Sequence, residues 1–289
     1  MSSIAYNTDT NMIDYHRLKG NQTMAFWRFS LKGFARFGEG DLFFFIDKRA
    51  RHPHTLEKGL VGYGRCVEIR NLSPKQTWDK YETLTGYNRY ADFQEAVRYY
   101  RKHDKRLPNQ LQTILLENVV FFQHPIFFSE VGIELNERLE SFTYIEKNGK
   151  DASKQLLKIA KDIGLDLWMM SQNPEVETLD MDKDMDHQKI RDQLLKIETN
   201  FDALQMRILK NHTQGVALNQ LYYTYHNQHL NIYLPLSKKN QLNALVGIKT
   251  IIETCIDYDQ VSYTIITHLR LDEQTLNLLA LMNLEHVQI

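Results

Sequence analysis

Two kinds of apolar pattern follow one another along this 289-residue chain. Up to about residue 145 the apolar runs are short and have strand length; beyond it they recur at helical spacing. Residues 1–23 are polar and weakly patterned and read as an arm. Residues 23–31 are aromatic and strand-like. Two apolar runs, 41–46 and 60–69, flank a basic, proline-containing loop at 47–59 and are expected to pair as the central hairpin. The unbroken apolar stretch 42–46 requires cover on both faces. Gly62 and Gly64 sit two apart inside the second strand, which marks a bulge or a close backbone approach, as barrel corners need.

Residues 71–86 read as a loop with a short segment carrying Trp78 and Tyr81. A helix is expected over 92–105, with Asp92 at its N-cap, Glu95 three residues on, and Ala96, Val97 and Tyr100 facing inward. Residues 111–135 read as two strands separated by His124-Pro125. A helix follows at 152–163 with Leu156, Ile159 and Ile163 on one stripe. Residues 171–186 are acidic, contain Pro174 and read as a linker. Over 187–210, Ile190, Leu194, Ile197, Phe201, Leu204 and Ile208 step by 4, 3, 4, 3 and 4, the seam of a single long helix. Under three heptads is short for an autonomous coiled coil, so the seam either packs on the preceding helix or pairs with a second copy. The remainder predicts a hairpin (216–225 and 229–236) turning at Asn227-Gln228, a helix over 240–256, a strand over 261–271, and a last helix capped by Asp272.

The fold class is therefore α+β. The expected order is an arm (1–23), a small barrel of five or six strands with one or two helices (24–148), a helical connector (149–211) and an α+β domain (212–289). Apolar residues at 43% and charged residues at 25% fit a soluble globular chain. No stretch approaches the roughly 18 consecutive apolar residues of a membrane span. The N-terminus lacks the basic head and apolar segment of a signal peptide, which predicts a cytoplasmic protein. Cys66 and Cys255 are too few and too far apart for a disulfide framework or a cysteine zinc site, and both are expected as buried packing residues.

The net charge of −1 conceals an asymmetry: residues 1–110 hold 19 Lys and Arg against 12 Asp and Glu, and residues 111–289 hold 16 against 24. A basic front half points to an anionic partner, with chance clustering as the alternative. Signatures of catalysis are missing. His52 and His54 have no HExxH, paired cysteines or spaced carboxylates beside them, so no metal is expected, and there is no P-loop, GxGxxG or GxSxG. No cofactor is expected. A metal-dependent nuclease would need converging carboxylates, and the strands at 216–236 and 261–271 carry none.

One resemblance emerges from these elements. A Gly38-Glu39-Gly40-Asp41 turn feeds an aromatic strand, and the strand LVGYGRCVEI follows. Next come an aromatic segment with Trp78 and Tyr81, a helix, and a closing NVVFFQHPIFFSEVGI. This order resembles the PUA-like superfamily, above all its EVE and ASCH branches, to which the YTH readers also belong. The resemblance covers about half the chain. It implies a curved barrel whose cleft holds a nucleotide, often a modified base flipped from its strand. Bases offer π-faces for aromatic stacking and phosphates that Lys and Arg can track. The candidates for stacking are then Trp27, Tyr63, Trp78, Tyr81, Tyr87 and Tyr90. Those for phosphate contact are Lys48, Arg49, Arg51, Arg65, Arg98, Arg101, Lys102 and Arg106. The functional expectation is a nucleic-acid-binding protein that could dimerise through the 187–210 helix. The alternatives are a restriction-type nuclease with its site in the C-terminal domain, and a non-catalytic dimerising scaffold.

Overall fold

In the computed structural model, residues 2–132, 139, 141–147, 151–172 and 178–289 are described. The chain divides into two compact units, Met1–Asp182 and Lys183–Ile289. Both mix helices with a mixed sheet, as the α+β expectation requires. Among the described residues no helix is long and apolar enough to cross a membrane.

The first unit runs β1 (Ile4–Asn7), α1 (Thr10–Lys19), β2 (Met24–Arg28), β3 (Leu42–Arg51), β4 (Lys58–Leu72), α2 (Pro74–Tyr81), α3 (Tyr90–His103), β5 (Leu111–Ile126), β6 (Phe142–Tyr144), α4 (Ala152–Ile163) and α5 (Leu167–Gln172). Its strands form one sheet in the order β2-β5-β4-β3-β1-β6. β1 pairs in parallel with β3, Ile4 opposite Phe43, and antiparallel with β6. Three strands separate β1 from β2, which in a flat sheet would hold them about 19 Å apart at ~4.8 Å per strand. The rings of Tyr6 on β1 and Phe26 on β2 are nevertheless only 4.8 Å apart, centroid to centroid. The sheet is therefore rolled, and side chains rather than ladder bonds close the gap between β2 and the β1–β6 edge.

Glycine makes the roll. The β4–β5 ladder slips between Leu60 and Gly62 and again between Tyr63 and Arg65. At Gly62 the backbones approach so closely that a Cβ would collide with the Val120 carbonyl oxygen, and one at Gly64 would meet Val119 Cγ2 at 2.9 Å. Phe43, Phe44, Phe45 and Phe121 fill the resulting core, completely buried or nearly so.

Several expectations are corrected. The supposed arm supplies β1 and α1; Asp9 caps the helix and Gly20, at φ 64°, ends it. The basic loop is shorter than expected, because β3 continues through Lys48 to Arg51, opposite Lys58. The segment around Trp78 is the helix α2, started by Pro74 and a reciprocal Ser73–Gln76 capping box. Asp92 does not cap α3; it lies in the first turn and pairs with Arg89. β5 runs through His124-Pro125 to Ile126, and a 3-10 turn at Phe128–Val131 follows instead of a second strand. The rest of that expected strand, 133–135, lies outside the described residues. The 171–186 stretch is helical at both ends, within α5 and within α6 (Thr178–Leu194), while 173–177 lie outside the described residues.

The second unit contains the end of α6, then α7 (Ala203–His212), β7 (Val216–Leu218), β8 (Leu221–His226), β9 (His229–Leu236), α8 (Leu242–Cys255), β10 (Val261–Thr267), α9 (Glu273–Leu281) and β11 (Glu285–Gln288). The sheet order is β11-β10-β9-β8-β7, parallel on the β9–β10–β11 side. Asn227 and Gln228, at φ 50° and 59°, make the two-residue turn between β8 and β9. The long heptad helix is not formed. α6 stops at Leu194, and an Asp202–Gln205 capping box starts α7. Ile190, Leu194, Ile197 and Phe201 are buried in this unit's own core, whereas Leu204 is exposed. Cys66 is buried, but Cys255 is exposed, contrary to expectation.

Gly62→Ala is expected to destabilise the chain by about 1–3 kcal/mol through overpacking. Gly33→Ala, where an added Cβ meets nothing within 4 Å, serves as the control. Equal melting temperatures for the two variants would show that the β4–β5 approach does not need a bare backbone.

Candidate functional site

The rolled seam of the first unit encloses a cavity of about 190 Å³ lined by Tyr6, Asn7, Asp9, Met12, Phe26, Trp27, Arg28, Phe29, Tyr87 and Tyr100. β1 contributes Tyr6 and Asn7, and the start of α1 contributes Asp9 and Met12. β2 and the residue after it contribute four walls, Tyr87 comes from the loop between α2 and α3, and Tyr100 comes from α3. Trp27 is fixed in this wall: its Nε1 donates to the Thr85 carbonyl at 3.2 Å, and its ring stands edge-on to Phe93.

Asp9 has two roles. One carboxylate oxygen accepts the Asn11 amide at 2.8 Å, capping α1, and the other accepts the Tyr100 hydroxyl at 3.0 Å. Burial, with the negative charge of Asp9 nearby, pushes the Tyr87 and Tyr100 phenols up to about 12. Both therefore stay neutral and able to donate at ordinary pH. Arg28 is held by Gln112 Oε1, at 2.9 Å from Nε and 2.6 Å from Nη2, and by the Lys32 carbonyl, with its guanidinium 4.0 Å from the Phe34 ring centre.

Helix α1 is latched to the loop that presents Tyr87. Tyr15 donates to Asn88 Oδ1 at 3.0 Å, and His16 lies fully buried beside Leu84, with Asn21 Nδ2 3.0 Å from its Nδ1. Burial pushes the His16 imidazole down to about 4, with the Leu84 backbone acting the other way.

The expected site residues are distributed unevenly. Trp27 and Tyr87 lie in the cavity wall. Tyr63 does not; it is buried between Phe44 and Phe122. Tyr81 is buried as well and donates to Glu68 at 2.6 Å. Trp78 packs against Phe93 and Tyr90, which fastens α2 to α3 and takes Trp78 and Tyr90 out of the cavity.

Among the cations, Arg65 is buried and donates to the Gly40 carbonyl. Arg49 grips Asp14 and Asp47, and Arg51 braces its own turn through the Lys48 and Leu56 carbonyls. Arg106 pairs with Asp104. Arg101 donates to the Pro108 carbonyl and lies 5.8 Å from the ring centre of Phe29, at the cavity edge. Lys48, Arg98 and Lys102 are exposed and form no ion pair among the described residues. Arg98 and Lys102 share one face of α3, a different one from that of Tyr100.

Half of the walls that the sequence reading missed, Tyr6, Asn7, Asp9 and Met12, come from residues 6–12. Their signal was the pair of helix ends, an Asp cap and a Gly stop, on either side of TNMIDYHRLK. No group of three or more His, Cys, Asp or Glu that could hold a metal ion occurs among the described residues.

Comparison with known proteins adds little. No family model matches the sequence, and no curated protein matches it. Among solved structures, the ASCH protein of Zymomonas mobilis is similar at 10% identity and a TM-score of 0.36, over 55% of this chain and 95% of that one. A single-residue variant of it gives 11% and 0.37, over 55% and 99%. Likeness of this degree identifies no family and carries no activity to this chain.

The buried histidine has a measurable consequence. The unfolded chain takes up the His16 proton near pH 6.5 and the folded one only near 4, so stability falls as pH drops through that window, by up to about 3 kcal/mol. Thermal melts between pH 7 and 4 should fall more steeply for the wild type than for His16→Gln. Parallel slopes would show that His16 is not the group responsible.

Proposed function

We propose that the first unit binds single-stranded nucleic acid, taking one base, plain or modified, into the aromatic cavity while exposed cations of α3 follow the phosphate chain. The observation that carries this reading is the cavity. It gathers six aromatic rings around a space of about 190 Å³ and ends in a carboxylate on one residue and a guanidinium on another. A dry cavity of about 150 Å³ admits benzene, and drug-sized ligands need roughly 300 Å³ or more. The space here suits one heterocycle. Aromatic stacking contributes ~1–3 kcal/mol per base by alanine substitution, and an extruded base is read through hydrogen bonds to its edge. Arg98 and Lys102, four positions apart and so on one face of α3, are exposed cations on the helix that carries Tyr100. The sequence resemblance to PUA-like barrels points the same way.

Binding is tested with fluorescently labelled oligonucleotides and the whole chain at two ionic strengths. Tyr100→Ala should weaken binding about 5- to 100-fold with a small change in melting temperature, because this ring is 39% exposed. Trp78→Ala should do the reverse, melting lower while binding is retained. The double variant Arg98→Ala/Lys102→Ala should reduce the slope of log affinity against log salt by about 1.4. Failure to bind any oligonucleotide, or binding indifferent to salt, would refute the reading.

A further inference from the structure

Among the described residues of the wall, Asp9 and Arg28 carry opposite charges, and each has hydrogen-bonding capacity left over. A carboxylate offers about four lone-pair sites. Asp9 uses one at each oxygen, for the Asn11 amide and the Tyr100 hydroxyl. Arg28 is only 8% exposed, and its Nε and Nη2 are engaged by Gln112 and the Lys32 carbonyl. The two N–H groups of its Nη1 have no hydrogen-bond partner among the described residues. The cavity thus holds a pure acceptor and a pure donor, each with places to fill.

Resting on the reading of this cavity as a base site, we propose that the base it selects is guanine. Guanine presents two adjacent donors, N1–H and the N2 amino group, and on its other side two acceptors, O6 and N7. A carboxylate can take the donor pair, and an arginine is the usual partner of the acceptor pair. The other bases fit worse. Adenine and cytosine set a single amino group beside a ring-nitrogen acceptor, and uracil sets one N–H between two carbonyls. Each therefore turns at least one lone pair toward the Asp9 carboxylate. Arg28 is buried, so a base that leaves its donors unpaired is rejected; Asp9 is exposed and acts by turning a carboxylate toward whatever edge the base presents.

The experiment titrates the full chain with GMP, AMP, CMP and UMP by calorimetry, together with homopolymeric single-stranded oligonucleotides. GMP should bind at least about tenfold tighter than the other three. Inosine monophosphate, which lacks the N2 amino group, and 7-deaza-GMP, which lacks N7, should each lose about 5- to 10-fold. These report Asp9 and Arg28 separately. Asp9→Asn keeps a side chain that caps a helix as well as Asp does but presents an amide where the carboxylate stood. It should abolish the guanine preference while melting temperature and circular dichroism stay as in the wild type. Equal binding of all four nucleotides would overturn the guanine assignment and leave the base site standing. A guanine preference untouched in Asp9→Asn would overturn the role given to Asp9. No binding of any nucleotide or oligonucleotide would remove the base site itself, and this assignment with it.

Discussion

The first unit depends on a four-residue parallel ladder, β1 against β3. Without it the apolar run of β3 would be an open edge, the kind of unpaired strand that invites pairing with another chain. With it, every residue from Leu42 to Ile46 is buried, and Phe43 to Ile46 have strand partners on both sides. The same ladder sets the position of the chain that follows. Because Asn7 ends β1 and Asp9 opens α1, the wall at Tyr6, Asn7, Asp9 and Met12 is placed by the registration of Ile4 on Phe43. Core formation and site formation are one event here.

Within the site, burial and hydrogen bonding favour neutral rings and a small number of fixed charges. Tyr87 and Tyr100 keep their protons because ionising them would place a second negative charge near Asp9 in a poorly solvated space. Arg28 is sheltered, with Nε and Nη2 held by an amide oxygen and a carbonyl and the guanidinium resting over Phe34. Some of the front half's other cations are engaged locally: Arg49 and Arg106 pair with nearby carboxylates and Arg65 donates to a backbone carbonyl, so fewer cations face a ligand than the number of Lys and Arg suggests.

What could be read from the sequence was what local physics determines strongly. The both-sides-apolar run of β3, the glycines of β4, the Asn227-Gln228 turn and the Asp272 cap each have one dominant cause, and each is found in the fold. The readings that failed involve competing causes. β1 is too short to show periodicity and exists through a partner some forty residues away. α2 has few apolar positions, and its Ser73-Pro74-Gln76 start was a stronger signal than its hydrophobic pattern. The heptad spacing of 187–210 was real, but α7 starts afresh at the Asp202–Gln205 box, so Ile190, Leu194, Ile197 and Phe201 enter one core while Leu204 stays exposed. Trp78 and Tyr81 showed no strand alternation to bury them because they lie on a helix. Of the site, Trp27 and Tyr87 could be nominated from the sequence, whereas Asp9 and Arg28 become partners only once the sheet rolls.

The seam of that roll has a mechanical consequence. Between β2 and the β1–β6 edge the contact includes rings and one guanidinium, Tyr6 on Phe26 and Arg28 over Phe142, and the described strands form no ladder across it. Widening the opening requires side chains to turn about their χ angles, while the hydrogen-bonded ladders on either side stay whole. Along this one line the rolled sheet is joined through side chains, where a rotamer and not a hydrogen-bonded ladder sets the fit.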